Sequence, residues 1–246
     1  MTDVRININN KTFPAAGNAE PHMAISQLYF SLNANEFVCL VGPSGCGKTT
    51  LLNIIAGLDN DYDGEIVLNH RHATPTIGYV FQNPRLLPWR TVRENIELAL
   101  PDYFSPQSID SLLNAMNLLK VQHVYPERLS LGMSRRVAIV RAFAIDPNIL
   151  LMDEPFVSLD SPTARQVRDL LINLWIQRPH SILFVTHDLR EAISLADKLI
   201  FLSTAPMEIV TEISVSIPRD QRNDESRIEF FRQQLLNEHP DIQNLL

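Results

Sequence analysis

The residues best suited to chemistry are GPSGCGKT, Gly42–Thr49. They fit the spacing G-x-x-x-x-G-K-[ST], and each residue type has a task. Glycine backbone lets successive N–H groups curl around phosphate oxygens, and a helix starting behind the loop adds a field that favours negative charge. Lys48 reaches the β- and γ-phosphates, and the Thr49 hydroxyl ligates Mg²⁺. Cys46 takes a variable position. Glycine is scarce elsewhere, 8 in 246 residues, yet Gly42, Gly45 and Gly47 crowd into this one loop. A second constellation is ILLMDEP, Ile149–Pro155, an apolar run ending in two adjacent carboxylates. Asp153 at a strand tip can hold Mg²⁺ through water, and Glu154, pointing elsewhere, can orient or deprotonate an attacking water. A phosphate loop alone fits a kinase, a GTPase or a helicase, and the paired carboxylates narrow that range.

Both motifs need elements to hold them. EFVCLVG (Glu36–Gly42) reads as a buried strand that feeds the glycine loop and then the helix KTTLLNIIAGL. EIVLN, IGYVFQ, ILLMD, SILFVT and KLIFLS are further short strands. SPTARQVRDLLINLWIQ is a helix with Ser161 as expected N-cap and Pro162 at the first helical position. Short apolar strands alternating with helices argue for a mostly parallel sheet covered on both faces. Residues 83–147 contain no convincing strand. TVRENIELAL opens with a Thr91–Glu94 capping box, SPQSIDSLLNAMNLL is a second helix, and Ser130–Ile145 a third. The expected organisation is a nucleotide-binding core over 1–82 and 148–216, an inserted helical subdomain over 83–147 and a short helical tail over 217–246.

Composition sets limits. The formal net charge is −7, a poor match to nucleic acid, which calls for a basic face. Cys39 and Cys46 make no disulfide framework, so a reducing compartment is expected. No apolar run is long enough to span a bilayer, and MTDVRININN is not patterned as a secretory signal. His70 and His72 in NHRH lack a third ligand nearby and read as a solvated turn. Ser44 has no His and Asp partners of a nucleophilic triad.

In order, GPSGCGKTT, VFQ with Gln82, LSLGMSRR, ILLMDEP, SLD with Asp160 and VTHD with His187 resemble the ATP-binding subunits of ABC transporters, over nearly the whole chain. The resemblance implies an α/β fold: a P-loop NTPase core with an N-terminal antiparallel β part and an inserted all-helical subdomain. It implies ATP and Mg²⁺ as ligands. Gly42, Pro43, Ser44, Gly45, Cys46, Gly47, Lys48, Thr49 and Thr50 would form the phosphate loop. Thr49, Gln82 and Asp153 would form the metal set, and Glu154, His187 and Gln82 the catalytic set. Gln82 would sense Mg²⁺ and water at the junction with the helical subdomain, and His187 would contact the γ-phosphate. Ser130 and Gly132 would bind the γ-phosphate of ATP held by the opposite subunit, with Asp160 crossing the interface of a head-to-tail homodimer that encloses two ATP. Phe13 in NNKTF resembles the aromatic that stacks on adenine, and a plain core phenylalanine is the competing reading.

QNPRLLPWRTVRENI, DEPFVSLD and IVTEISVSIPR are similar to the importers of nitrate, sulfonate and taurine. Leu131 stands where that pattern has glycine, and Arg135 where it has glutamine. Leu131 is tolerable if its φ is negative and its side chain turns away from phosphate. The resemblance implies work at the cytoplasmic face of the inner membrane, with a permease that docks near RLLPW and an extracytoplasmic solute-binding protein. Three alternatives compete, the last of them disfavoured. One is an exporter or lipid-trafficking ATPase. Another is an ATP-binding interaction protein with a decayed signature. The last, a soluble repair or translation ATPase, usually has paired domains or a coiled-coil insertion, and this chain has neither. The cluster Arg135, Arg136 and Arg141 reads as a solvated helix face or an interface contact.

Overall fold

The computed structural model describes every residue except 1–3, 16, 18–19, 69–75, 101–105 and 246. His70 and His72 therefore lie outside the described residues. In chain order the regular elements are β1 (Val4–Phe13), β2 (His22–Leu32), β3 (Phe37–Val41), α1 (Lys48–Ile55), β4 (Asp63–Leu68), β5 (Ile77–Val80), α2 (Val92–Glu97), α3 (Pro106–Ala115), α4 (Leu131–Ala144), β6 (Ile149–Asp153), α5 (Ser161–Gln177), β7 (Ser181–Thr186), α6 (Leu189–Leu195), β8 (Lys198–Leu202), β9 (Ile209–Ser214) and α7 (Glu225–Glu238). They form two compact units, residues 1–73 with 181–246, and residues 74–180.

The first unit holds two β-structures. In one, β1 lies between β2 and β4, antiparallel to both. Val4, Ile6 and Ile8 face inward and Arg5 and Asn7 outward, the period of a strand with one covered face. The alternation breaks after Ile8, where pairing with β4 shifts register, and Lys11 comes inward. Its ammonium donates to Asp59 Oδ1 at 2.9 Å and to the Asp61 carbonyl at 2.6 Å, so a 2% exposed lysine is paired rather than stranded. In the other, β3 lies between β7 and β8 with parallel pairing, and β9 runs antiparallel along β8. All five residues of β3 and all six of β7 are buried. That is why they read as unbroken apolar runs, each large side chain contributing about 1.5–3 kcal/mol of burial. Leu51, Leu52, Ile54 and Ile55 bury the inner face of α1.

In the second unit β5 and β6 pair in parallel, Ile77 opposite Ile149. Helices α2, α3 and α5 all pack on α4, which explains why most of α4 is buried, Arg135 included. The Thr91–Glu94 capping box forms in both directions. Helix α5 starts one residue earlier than its sequence suggests. Asp160, not Ser161, is the N-cap, and its carboxylate accepts from Thr163 N at 3.0 Å. Pro162 has no N–H to offer, so the cap bond falls on the next residue, and the aspartate reaches it. Among the described residues, 83–147 contain helices and turns and no strand.

Candidate functional site

The phosphate loop belongs to the first unit. Strand β3 ends at Val41 and α1 begins at Lys48, so Gly42–Gly47 is the connection. Gly45 and Gly47 have φ of 80° and 109°, in the left-handed region where a side chain is strained. Gly47 is the N-cap of α1 and supplies no capping side chain, and no acidic residue sits in the first turn. The first amides of α1 therefore face outward as anion donors. Lys48 is 6% exposed, and its ammonium donates to the carbonyls of Gly42 and Pro43, both at 2.7 Å. The buried Cys46 thiol lies 3.8 Å from the same ammonium. Thr49 is exposed in the first turn. Lys48→Ala is expected to remove a charge-assisted contact worth about 1.5–3 kcal/mol, weakening nucleotide binding by roughly tenfold to 150-fold. Calorimetric titration with ATP measures this, and an unchanged affinity would take Lys48 out of the site.

The same unit carries Phe13 and His187. Phe13 ends β1 and is 40% exposed, with the Lys11 ammonium 4.9 Å from its ring centre, so it is not a core residue. His187 follows β7 and is exposed. Behind it Asp188 caps α6, accepting from Arg190 N and Glu191 N.

The second unit carries the carboxylates and the signature. Asp153 is the last residue of β6 and 4% exposed. Glu154 follows with φ of 42°, so its carboxylate leaves the strand in a different direction. The Gln82 amide donates to Glu154 Oε2 at 3.4 Å, which brings two of the expected catalytic residues together. Ser130 is the N-cap of α4, its hydroxyl accepting from Met133 N at 3.2 Å. Leu131 is the first helical residue, is absent from the positive-φ residues and is 42% exposed. The leucine thus meets no backbone objection. Gly132 is buried, and a Cβ there would lie 2.6 Å from Thr163 Cγ2 of α5. The Thr163 hydroxyl in turn donates to Asp160 at 2.8 Å. The Thr163 amide and hydroxyl together hold the Asp160 carboxyl below its ordinary range.

The arginine cluster differs from its reading as a solvated face. Arg135 is 4% exposed. Arg136 donates to Met116 O at 2.9 Å. Arg141 donates to the carbonyls of Pro84 at 2.7 Å and Arg85 at 3.0 Å, holding the segment just after Gln82. Asn95, which carries no motif, is 1% exposed. It donates to the carbonyls of Leu87, Arg90 and Thr91 and accepts from Leu87 N at 2.7 Å. It fixes the turn that presents Trp89, which is 68% exposed.

Among the described residues no group of three or more His, Cys, Asp or Glu side chains could hold a metal ion. Mg²⁺ bound with a nucleotide needs no such cage, only one or two hard oxygen donors beside the phosphates. The Thr49 hydroxyl, Asp153 carboxylate and Gln82 amide are donors of that kind.

A glycine loop on an uncapped helix and a strand tipped by two carboxylates define a P-loop nucleoside-triphosphatase. The comparisons with known proteins are more specific. A family model described as ABC transporter matches residues 25–157. The aliphatic sulfonates import ATP-binding protein SsuB of Bacillus subtilis (strain 168) is 39% identical over 249 aligned positions, covering 98% of this chain and 96% of that protein. The nitrate import ATP-binding protein NrtD of Synechococcus elongatus is 38% identical over 221 positions, covering 86% of this chain and 80% of that protein. The solved dimeric structure of MJ0796, a bacterial ABC transporter cassette, aligns with a TM-score of 0.74 at 29% identity, covering 87% of this chain and 100% of that one. A post-hydrolysis state of the same cassette, bound to ADP and Pi, aligns with a TM-score of 0.73 at 30% identity. The chain belongs to the ABC transporter family, as one of its ATP-binding cassettes.

Proposed function

We propose that this chain is the ATP-hydrolysing subunit of an importer for a small anionic solute of the sulfonate or nitrate kind. The observation that carries the reading is the combination of relatives and signature. Proteins named for sulfonate and nitrate import align with most of this chain, and Ser130 still caps the helix that Leu131 and Gly132 open. In this reading Lys48 and the first amides of α1 bind the β- and γ-phosphates. Thr49, Asp153 and Gln82 would hold Mg²⁺, which would supply charge neutralisation on the phosphates. Phe13 stacks on adenine. Glu154 aligns the attacking water and takes its proton, and His187 contacts the γ-phosphate. Two copies act head to tail, so that Ser130 and Gly132 of one complete the site of the other and Asp160 crosses between them. The MJ0796 cassette, solved as a dimer, supports that arrangement.

Among the described residues no helix is long and apolar enough to cross a membrane, so the reading needs permease subunits. The subunit then works at the cytoplasmic face of the inner membrane, supplied by an extracytoplasmic solute-binding protein. Helices of residues 83–147 form the inserted subdomain that meets the permease. Trp89, exposed on a turn pinned by Asn95, is the anchor proposed for that contact; aromatic anchors dominate interface energies. Trp89→Ala is expected to weaken co-purification with the permease by on the order of 2 kcal/mol and to leave ATP affinity of the isolated subunit unchanged. Full assembly of the variant would move the contact elsewhere. The function itself is tested by reconstituting subunit and permease in vesicles and measuring ATP-dependent uptake of labelled sulfonate and nitrate. Uptake of neither, with efflux of another compound, would favour an exporter.

A further inference from the structure

We propose that Arg135 is a positioning residue, which sets the loop from Glu154 to Asp160 from the signature helix. The inference rests on the reading of Glu154 as the residue that aligns water. Arg135 lies on α4 five residues after the cap Ser130, with its side chain buried. Its Nη2 donates to Val157 O at 3.3 Å. Val157 sits at the middle of the loop. Val157 N donates to Glu154 O and Leu159 N to Phe156 O, both at 3.2 Å. Two residues of that loop, Glu154 and Ser158, stand at left-handed φ of 42° and 66°. Such backbone persists only where its surroundings over-determine it. A guanidinium planted on the central carbonyl is one such constraint.

Stability does not account for Arg135. Its Nε and Nη1 are buried and have no hydrogen-bond partner among the described residues. A half-satisfied buried charge is often no better for stability than an apolar side chain of similar volume. Burial also pulls the guanidinium pKa down, as expected for a charge short of partners. What the side chain does supply is a rigid link between two segments that carry site residues. Ser130 and Gly132 open its own helix, and Glu154 and Asp160 bracket the loop it holds. The link has a second strand, since Gly132 packs on the Thr163 methyl and the Thr163 hydroxyl donates to Asp160. Engagement of the signature can therefore be felt at Glu154 through Arg135 and Val157.

The test uses the full-length subunit assembled with its permease, in wild type, Arg135→Met, Arg135→Lys and Glu154→Gln. Steady-state ATPase kinetics and thermal unfolding are measured on each. Arg135→Met keeps volume and removes every donor. It is expected to lower kcat by about tenfold to a hundredfold, the range that misplacing a catalytic group costs. KM for ATP should hold, and the melting temperature should stay level or rise. Arg135→Lys, whose long side chain brings a donor back toward Val157 O, should recover most of kcat. Wild-type kcat in Arg135→Met beside an inactive Glu154→Gln overturns the proposal alone. A joint fall of kcat and melting temperature in both Arg135 variants, with no recovery by Lys, makes the residue structural and also overturns it. Full turnover in Glu154→Gln removes the catalytic reading on which the proposal stands.

Discussion

Glu154→Gln is expected to bind ATP as tightly as the wild type and to lose about 10²–10⁴ of its turnover, the typical worth of a general base. The expectation follows from where the carboxylate stands. Strand β6 delivers Asp153 buried at its tip, and the next residue departs at φ of 42°. A left-handed glutamate costs of order 1–3 kcal/mol, which is tolerated where it places a side chain that must not lie along the strand. Gln82 then donates to Glu154 Oε2, leaving the carboxylate as acceptor. Glutamine has the same reach and can still meet Gln82, but it cannot take a proton from water. Binding groups such as Lys48 are unchanged, so ATP should stay on. Because ATP is then no longer hydrolysed between the two copies, an ATP-dependent dimer should accumulate on gel filtration. Turnover at the wild-type rate would take Glu154 out of the mechanism, and a loss of ATP affinity would make it a binding residue.

The parts of the molecule that sequence made legible are those whose burial is complete or whose motif is local. Strands β3, β6 and β7 are buried on every residue, so they stand out as apolar runs. The Thr91–Glu94 box is read within four residues of chain. Strand β1 is different. Its alternation is clean for only five residues before the register shift, and a buried lysine then breaks the pattern. The N-terminal β part follows from the family resemblance, while the limits of its strands do not. Strand β9 is an edge strand, half exposed throughout, and α6 has only 7 residues, too few for a helical period to register. The arginines were opaque for another reason. Arg135, Arg136 and Arg141 donate to backbone carbonyls 20–57 residues away, and a carbonyl has no residue type to read. The same holds for Asn95, whose four bonds all go to main chain. Charge on a helix looks solvated until the fold supplies its acceptors.

The signature LSLGMSRR yields the other large effect, and its two central residues should behave in opposite ways. Leu131→Gly is expected to change the ATPase rate of the assembled transporter by less than roughly tenfold. Leu131 is the first residue of α4, where helical φ is negative and suits any L-residue, and its side chain is 42% exposed. The Ser130 hydroxyl and the amides of the helix N-terminus do not depend on what position 131 carries. A glycine there lacks only side-chain contacts and some helix propensity, at most about 1 kcal/mol. Gly132→Asp is expected to lower the rate by about 10²–10³, the range for loss of a donor to the transition state. The physical route is packing as much as charge. A Cβ at Gly132 would lie 2.6 Å from Thr163 Cγ2, so either Thr163 turns its side chain or α4 and α5 move apart. Displacing α4 moves the Ser130 cap, and displacing Thr163 frees Asp160 from its hydroxyl bond. Gly132→Ala separates the two routes, since it carries the clash without the charge. Activity near wild type in Gly132→Ala with loss in Gly132→Asp assigns the effect to repulsion of phosphate, and equal losses assign it to packing. If instead the wild-type complex is inert and Leu131→Gly starts hydrolysis, the leucine has disabled the signature, and the chain binds ATP without turning it over.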